Sequence, residues 1–516
     1  MSSEKFEMTA KTFQGLEGVL SDELRELGAE NIEIGRRMVA FTGDKLLLYR
    51  ANYCLRTALR VLKPIIRFNA DNADTLYTLC RDFKWDKVLT VDQTFSIDAT
   101  VNSDDFRHSR FVTYRVKDAI ADWFMDNYKK RPSIRIQNAD IKFNVHITQN
   151  QVTISLDSSG DSLHKRGYRV AQTDAPINEV LAAGLIKLSG WTPEKNMIDP
   201  MCGSGTFLIE AALMAGNIYP GVFRNSYAFE HWRDFEPELF DSVMNDDSQE
   251  HPINVHFYGY DISPKAIDIA SRNVKNAGLA KYFTTEIRPL SHMEFMPDNC
   301  MLISNPPYGE RLDLENLSEF YTSIGSTLKN SCKGSEAWLI GPKADVFDNI
   351  GLKPSIKYPV LNGALECEFR QYVIFDGTYA QFRKEGKSVH NNDFRGSEGV
   401  SKRYSGGQDR AFSKSAIFKG ERKDRRTKTS SFSQQKSEKT TRRYGYRPEP
   451  TPARNPLEET YRKPYSKRVG KSSVIEFKEP TLGVEHEREI IHGRRKSWMR
   501  KDLTPQNNGE NNNSNE

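Results

Sequence analysis

Asn305-Pro306-Pro307-Tyr308 closes the short apolar run Met301-Leu302-Ile303-Ser304, which reads as a strand. The amide oxygen of Asn305 and the main-chain carbonyl of Pro306 can each accept one N–H bond from an exocyclic amino group. Such a nitrogen is a poor nucleophile because its lone pair is conjugated into the ring. Two fixed acceptors favour the pyramidal form, whose lone pair is free to attack. Neither acceptor needs to be a strong base, because positioning and electrostatics supply most of the gain. Two prolines stiffen the turn, and Pro306 biases Asn305 toward an extended backbone. Tyr308 can stack on an unstacked base. Asn-Pro also marks ordinary turns; the buried strand before it and the two segments upstream favour the chemical reading.

The first of those segments is Asp199-Pro200-Met201-Cys202-Gly203-Ser204-Gly205-Thr206, between the strand Asn196-Met197-Ile198 and a helix from Phe207. Glycines let a backbone approach a ligand closely, and the helix start offers free N–H groups. The second is Gly259-Tyr260-Asp261-Ile262, also at a strand end. In a doubly wound fold, ligands lie outside the carboxyl ends of the strands, and an acid there can accept from both ribose hydroxyls. Asp261 could equally cap the helix that begins at Pro264. Together the three segments point to methyl transfer from S-adenosyl-L-methionine to a base nitrogen. Asp199, Cys202, Gly203, Ser204, Gly205, Thr206, Asp261 and Ile262 are the expected cofactor contacts. Asn305, Pro306 and Tyr308 are the expected catalytic group. Arg311, close behind, could meet a phosphate or base edge, or sit in a surface ion pair.

The elements that must hold these residues follow from periodicity. From about 195 to 378 strands alternate with helices, the pattern of a doubly wound parallel sheet. Asp174-Ala175-Pro176 suggests the start of a preceding helix, with Pro near its first turn. Leu16, Val19, Leu20, Leu24 and Leu27 share one helical face, and Gly35-Arg36-Arg37 joins a hairpin. Thr94–Ala99 alternates as a half-buried strand, Phe111–Tyr128 is amphipathic, and a second hairpin turns at 148–151.

Charge is unevenly spread. Residues 381–516 hold 32 Lys/Arg and 18 Asp/Glu, whereas residues 1–380 hold 42 and 51. A basic tail on an acidic body suits a polyanionic partner or a merely solubilising role. Its Ser, Lys, Arg, Gly, Asn and Gln bias predicts disorder. The six cysteines form no C-x-x-C pair, which argues against structural zinc and disulfides and for a reducing compartment. Neither a signal peptide nor a membrane span is expected, so the expected location is cytoplasmic.

The quoted motifs, with Leu55-Arg56-Thr57-Ala58 and Leu163-His164-Lys165-Arg166-Gly167-Tyr168-Arg169, resemble THUMP-domain class I RNA methyltransferases. They are most similar to the bacterial family that methylates guanine N2 in 23S rRNA, over about residues 5–378. The resemblance implies an α/β chain with four parts. These are a ferredoxin-like region (1–60), a THUMP RNA-binding domain (61–160), a Rossmann-like methyltransferase domain (161–378) and a disordered basic tail (379–516). It implies that Asp199, Gly203 and Gly205 form the methionine-side pocket, that Asp261 holds the ribose, and that Asn305, Pro306 and Tyr308 hold the base. RNA is then expected on the THUMP region, the 164–169 segment and the tail. Many relatives carry an Asp near the adenine after the next strand; Glu286–Leu290 has none. Some carry a second methyltransferase domain, an activity not expected behind a basic tail. Guanine-N2 methylation of tRNA uses a similar motif set, and adenine-N6 DNA enzymes also use Asn-Pro-Pro-Tyr; the THUMP-like region favours RNA. A non-catalytic ribosome-assembly factor would lose the cofactor motifs, which are intact here.

Overall fold

The computed structural model describes residues 4–293, 296–308, 314–342, 345–375 and 377. Arg311 and the tail from 379 lie outside the described residues. Among the described residues there are two sheets. The first takes β1 (Phe6–Lys11), β2 (Glu30–Gly35), β3 (Met38–Gly43), β4 (Arg60–Asn69), β5 (Thr94–Asn102), β6 (Ser133–Ile134), β7 (Ile141–Thr148) and β8 (Gln151–Asp157). The second takes β9 (Asn196–Asp199), β10 (Phe257–Asp261), β11 (Phe283–Ile287), β12 (Cys300–Ser304), β13 (Glu336–Pro342), β14 (Ile356–Asn362) and β15 (Leu365–Val373).

The first sheet has the order β2-β3-β1-β4-β8-β7-β5-β6. β4 is its hinge: β1 pairs on one side and β8 on the other, so residues 6–69 and 94–157 share one sheet. Pro64 is tolerated inside β4 because the register shifts between Pro64 and Ile66. Helices α1 (Glu17–Glu26), α2 (Lys45–Cys54), α3 (Ala73–Arg81) and α4 (Ser109–Tyr128) accompany this sheet. One apolar core runs from Met8 and Phe41 to Phe95 and Phe143.

The second sheet has the order β11-β10-β9-β12-β13-β15-β14. Its strands are parallel except β15, which runs against both β13 and β14. Met301-Leu302-Ile303 and Ala337–Ile340 are buried throughout, as expected for strands covered on both faces. The strand order reverses between β9 and β12. The helices leaving these neighbours therefore depart to opposite faces, and a crevice opens at their carboxyl ends. Asp199 ends β9 and Asn305 follows β12, so topology alone brings both to that crevice.

Helices α5 (Glu179–Ser189), α6 (Thr206–Ala215), α7 (Pro237–Met244), α8 (Pro264–Asn276) and α9 (Leu314–Ser331) are the remaining α-helices among the described residues. α6 is buried nearly all round, and α8 starts at Ser263, whose hydroxyl accepts from Ala266 N–H. The helix expected from Asp174-Ala175-Pro176 instead starts at Glu179. Asn178 is the stronger cap: its side chain accepts from Val180 and Leu181 N–H. Residues 173–177 are thereby left as a non-helical strap that bends at Asp174-Ala175. No helix among the described residues is long and apolar enough to cross a membrane.

Candidate active site

The glycine turn is held open by its own residues. Gly203 and Gly205 sit at φ +54° and +76°, a region that costs any side-chain-bearing residue. Cys202 N–H donates to Tyr260 O at 2.9 Å, and Gly203 N–H to Asp261 Oδ2 at 3.0 Å. Asp261 Oδ1 takes Ser263 N–H at 2.9 Å. The capping role weighed for Asp261 falls to Ser263, the N-cap of α8, and each Asp261 oxygen keeps one lone pair beyond its backbone bond.

Asp199 is buried at the end of β9. Its Oδ1 accepts from Ser304 Oγ at 2.6 Å and from Met201 N–H at 3.1 Å. Burial raises its pKa to about 7; the bonds from Ser304 and Met201 oppose that rise, and nearby Asp261 adds to it. Burial likewise holds the Cys202 thiol well above its usual range, so it stays protonated where it lines the cavity.

Asn305 lies against the same cavity, and its Oδ1 is buried with no hydrogen-bond partner among the described residues. An unmet buried acceptor costs about 1–3 kcal/mol. The cavity holds about 510 Å³, within the range of small-molecule sites. Asp199, Cys202, Gly203, Ser204, Thr206, Asp261, Ile262 and Asn305 line it. Gly205 does not; it is the N-cap of α6. Pro306 is buried beside the wall, to which Pro307 contributes instead. Tyr308 also lies off the wall. Its ring packs on the core around the second sheet, and its hydroxyl accepts from Asn362 Nδ2 at 2.5 Å.

Three family models match the chain. The description "RMKL-like, methyltransferase domain" matches residues 166–371, a THUMP domain matches 70–157, and the RlmL ferredoxin-like domain matches 7–62. The putative RNA methyltransferase slr0064 of Synechocystis sp. (strain ATCC 27184 / PCC 6803 / Kazusa) is 38% identical over 369 residues, 71% of this chain and 96% of that one. The chain belongs to the RMKL-like methyltransferase family. The ribosomal RNA large subunit methyltransferase K/L of Syntrophotalea carbinolica is 37% identical over 384 residues, 72% of this chain but 53% of its own length. The chain thus spans about half the length of that relative. Among solved structures, SMU.472, a putative methyltransferase complexed with SAH, superposes with a TM-score of 0.64 at 28% identity. That match covers 73% of this chain and 100% of SMU.472.

Within this family member the strap 173–177 forms one wall of the cavity. Sequence reasoning missed it by reading Asp174-Ala175-Pro176 as a helix start. Ser204 Oγ accepts Thr173 N–H at 3.0 Å, which fastens the strap to the glycine turn. Asn273 of α8, fully buried, is a second fastener. Its Oδ1 accepts from Val170 and Ala171 N–H, and its Nδ2 donates to Ala171 O and Ser204 O. Asn273 and Asn276, two amides in an amphipathic helix, were the sequence signal for it. Leu290 and exposed Ile262 contribute apolar faces to the cavity, beside Ser263 and Lys265.

The 164–169 segment, expected to hold RNA, is largely turned inward. Arg166 and Tyr168 are buried and do not face a nucleic acid. Arg166 lies 3.4 Å from Glu210 and donates to the carbonyls of Leu163 and Arg56; Tyr168 Oη donates to Glu210 at 2.9 Å. Arg169 donates to Ile177 O at 2.9 Å and to Thr206 Oγ1 at 2.8 Å. A guanidinium that can be matched by a buried carboxylate and carbonyls serves as an internal brace, and only Lys165 of the segment's cations points outward. Glu210→Ala should strand Arg166 and lower stability by about 3–5 kcal/mol. Urea unfolding should show that loss, with Lys165→Ala close to wild type.

Proposed function

We propose that this protein transfers a methyl group from S-adenosyl-L-methionine to the exocyclic N2 amino group of a guanine in 23S rRNA, in the cytoplasm. S-adenosyl-L-methionine is the cofactor. Bound in the cavity, it supplies an electrophilic methyl on a sulfonium. The observation that carries the reading is the bare, buried Oδ1 of Asn305, on the same cavity as the open side of Asp199.

The residues divide the work. Asp199 meets the cofactor's ammonium, and Asp261 meets the ribose hydroxyls while holding Gly203. Ser204, Thr206 and Asn273 keep the turn and strap in register and need not touch ligand. Asn305 accepts one N–H of the guanine amino group and fixes its orientation; the Pro306 carbonyl accepts the other. The nitrogen has no need of a side-chain base before attack, and its extra proton passes to solvent afterwards. A guanine reaches such a recess only by leaving its stack.

Tyr308 serves this reaction as a stacking platform, which requires its ring to swing from Asn362 toward the base. Tyr308→Ala should then cost about 1–3 kcal/mol of RNA affinity, whereas Tyr308→Phe, which keeps the ring, should retain it. Equal KM values for RNA in both variants and wild type would exclude the platform.

The reaction itself is tested with radiolabelled S-adenosylmethionine and total RNA. Label is expected in RNA of large-subunit ribosomal size. Label in tRNA alone would transfer the reading to tRNA, and no label in any RNA would refute RNA methylation.

A further inference from the structure

A second cavity, of about 350 Å³, lies away from the cofactor site. Its wall draws Lys142 from β7, Asp161 and Lys165 from the chain leaving β8, and Arg224, Asn225 and Ser226 from beyond α6. Arg224 braces it by donating to four main-chain carbonyls, those of Ser159, Asp161, Ser162 and Lys165. These four acceptors are neutral, and the carboxylates that act on the guanidinium through space are Asp161 and Asp157. Lys142 and Lys165 approach the same carboxylate, Asp161, at 3.9 and 3.5 Å. Asp161 thus faces two ammonium groups, while Asp157, the other carboxylate near Arg224, is paired with Arg60. Each ammonium has three donors, and neither distance is that of a tight hydrogen bond, so donors remain to be given to a ligand.

Concavity sharpens this charge, because low-dielectric walls focus the field of a cleft. The cluster also runs against the chain's trend, since residues 1–380 carry more acid than base. Asn and Ser amides and hydroxyls beside Lys are the groups that contact phosphate and sugar oxygens.

We propose that this cavity grips a phosphate of the RNA backbone. The inference rests on the reading of the chain as an RNA enzyme, and adds to it a fixed point on the substrate. Lys165 stands on the segment whose later residues secure the cofactor cavity. Gly167 passes so close to Phe223 that a Cβ would come 2.2 Å from the Phe223 carbonyl oxygen, at φ +112°. Two residues on, Arg169 holds Thr206 and Ile177. A phosphate on Lys142 and Lys165 is thus anchored to a rigid strip that ends at the glycine turn. The RNA strand is held at a set distance from Asn305 while its guanine is extruded.

The test compares the full-length protein with Lys142→Ala, Lys165→Ala and the double variant. Binding to a mixed-sequence RNA hairpin and to deproteinised 23S rRNA is measured across a potassium chloride series. Each lysine that meets a phosphate should reduce the slope of log K against log salt by about 1, alike for both RNAs. Lys142→Arg with Lys165→Arg should restore the slope, and S-adenosylhomocysteine affinity should not move. An unchanged slope in the double alanine variant overturns the site. The two readings fail separately: a reduced slope without methyl transfer by wild type keeps the site and removes the reaction, whereas transfer with an unchanged slope does the reverse.

Discussion

Asn305→Ala is expected to lose methyl transfer by at least 10²- to 10³-fold while cofactor binding stays within a few-fold of wild type, the magnitude associated with removing one preorganised polar group from a transition state. The reason lies in what the amide has to do. Its Oδ1 is buried, faces no donor among the described residues, and borders the cavity that Asp199 and Asp261 also line. An acceptor left in that state costs the empty protein stability, and truncating it removes the cost. The variant should therefore unfold at an equal or slightly higher temperature than wild type. A residue conserving only the fold would show the opposite pattern, with lost stability and proportionate loss of activity. Single-turnover transfer, calorimetric titration of S-adenosylhomocysteine and a thermal melt give the three readouts. Activity within tenfold of wild type would remove Asn305 from the mechanism.

Asp199→Asn should weaken cofactor binding by about 10- to 100-fold at pH 8, the worth of a charge-assisted hydrogen bond of about 1.5–3 kcal/mol. Its pH dependence is more diagnostic. Burial lifts the Asp199 pKa to about 7, far above its ordinary 3.8. The folded, empty protein therefore holds this proton more tightly than the unfolded chain does. The stabilising contribution is complete below about pH 3.8 and is lost as pH rises through about 7. Above that, an ionised carboxylate sits in a desolvated pocket and destabilises the empty fold. A ligand ammonium reverses the preference, because it binds the carboxylate and not the acid. Affinity for S-adenosylhomocysteine should rise by up to about tenfold per unit below pH 7 and level off near pH 8. Asp199→Asn should flatten this profile and leave the empty protein no less stable at pH 8. Titrations at pH 6, 7 and 8 decide it; a pH slope surviving in the variant would assign the effect to another group.

Much of this site was legible because strand ends are. Asp199, Asp261 and Asn305 each follow an apolar run, and a doubly wound order sends the ends of such runs to one edge. Gly203 and Gly205 were expected to let the backbone approach a ligand; their positive φ emerged only with the fold. What was illegible depends on tertiary partners. Nothing local distinguishes Arg166, which is buried against Glu210 of α6, from an arginine that meets RNA. Asp174-Ala175-Pro176 has the composition of a helix start, but Asn178 caps more effectively, and the displaced residues become a cavity wall. Tyr308 reads as a base platform from its neighbours, yet Asn362 takes its hydroxyl from a strand more than fifty residues on. The join of the first two regions through β4 was equally hidden, because a strand's sequence records its buried faces and not which neighbours pair on its edges.

In the proposed reaction the Asn305 carboxamide directs the amino group of a guanine toward a methyl donor held by the glycine turn. The most direct measurement incubates deproteinised 23S rRNA with the protein and trideuteromethyl S-adenosylmethionine, then identifies the labelled nucleosides by mass spectrometry. Labelled N2-methylguanosine is predicted with wild type and none with Asn305→Ala. Label on any other nucleoside, or equal N2-methylguanosine from both proteins, would contradict it.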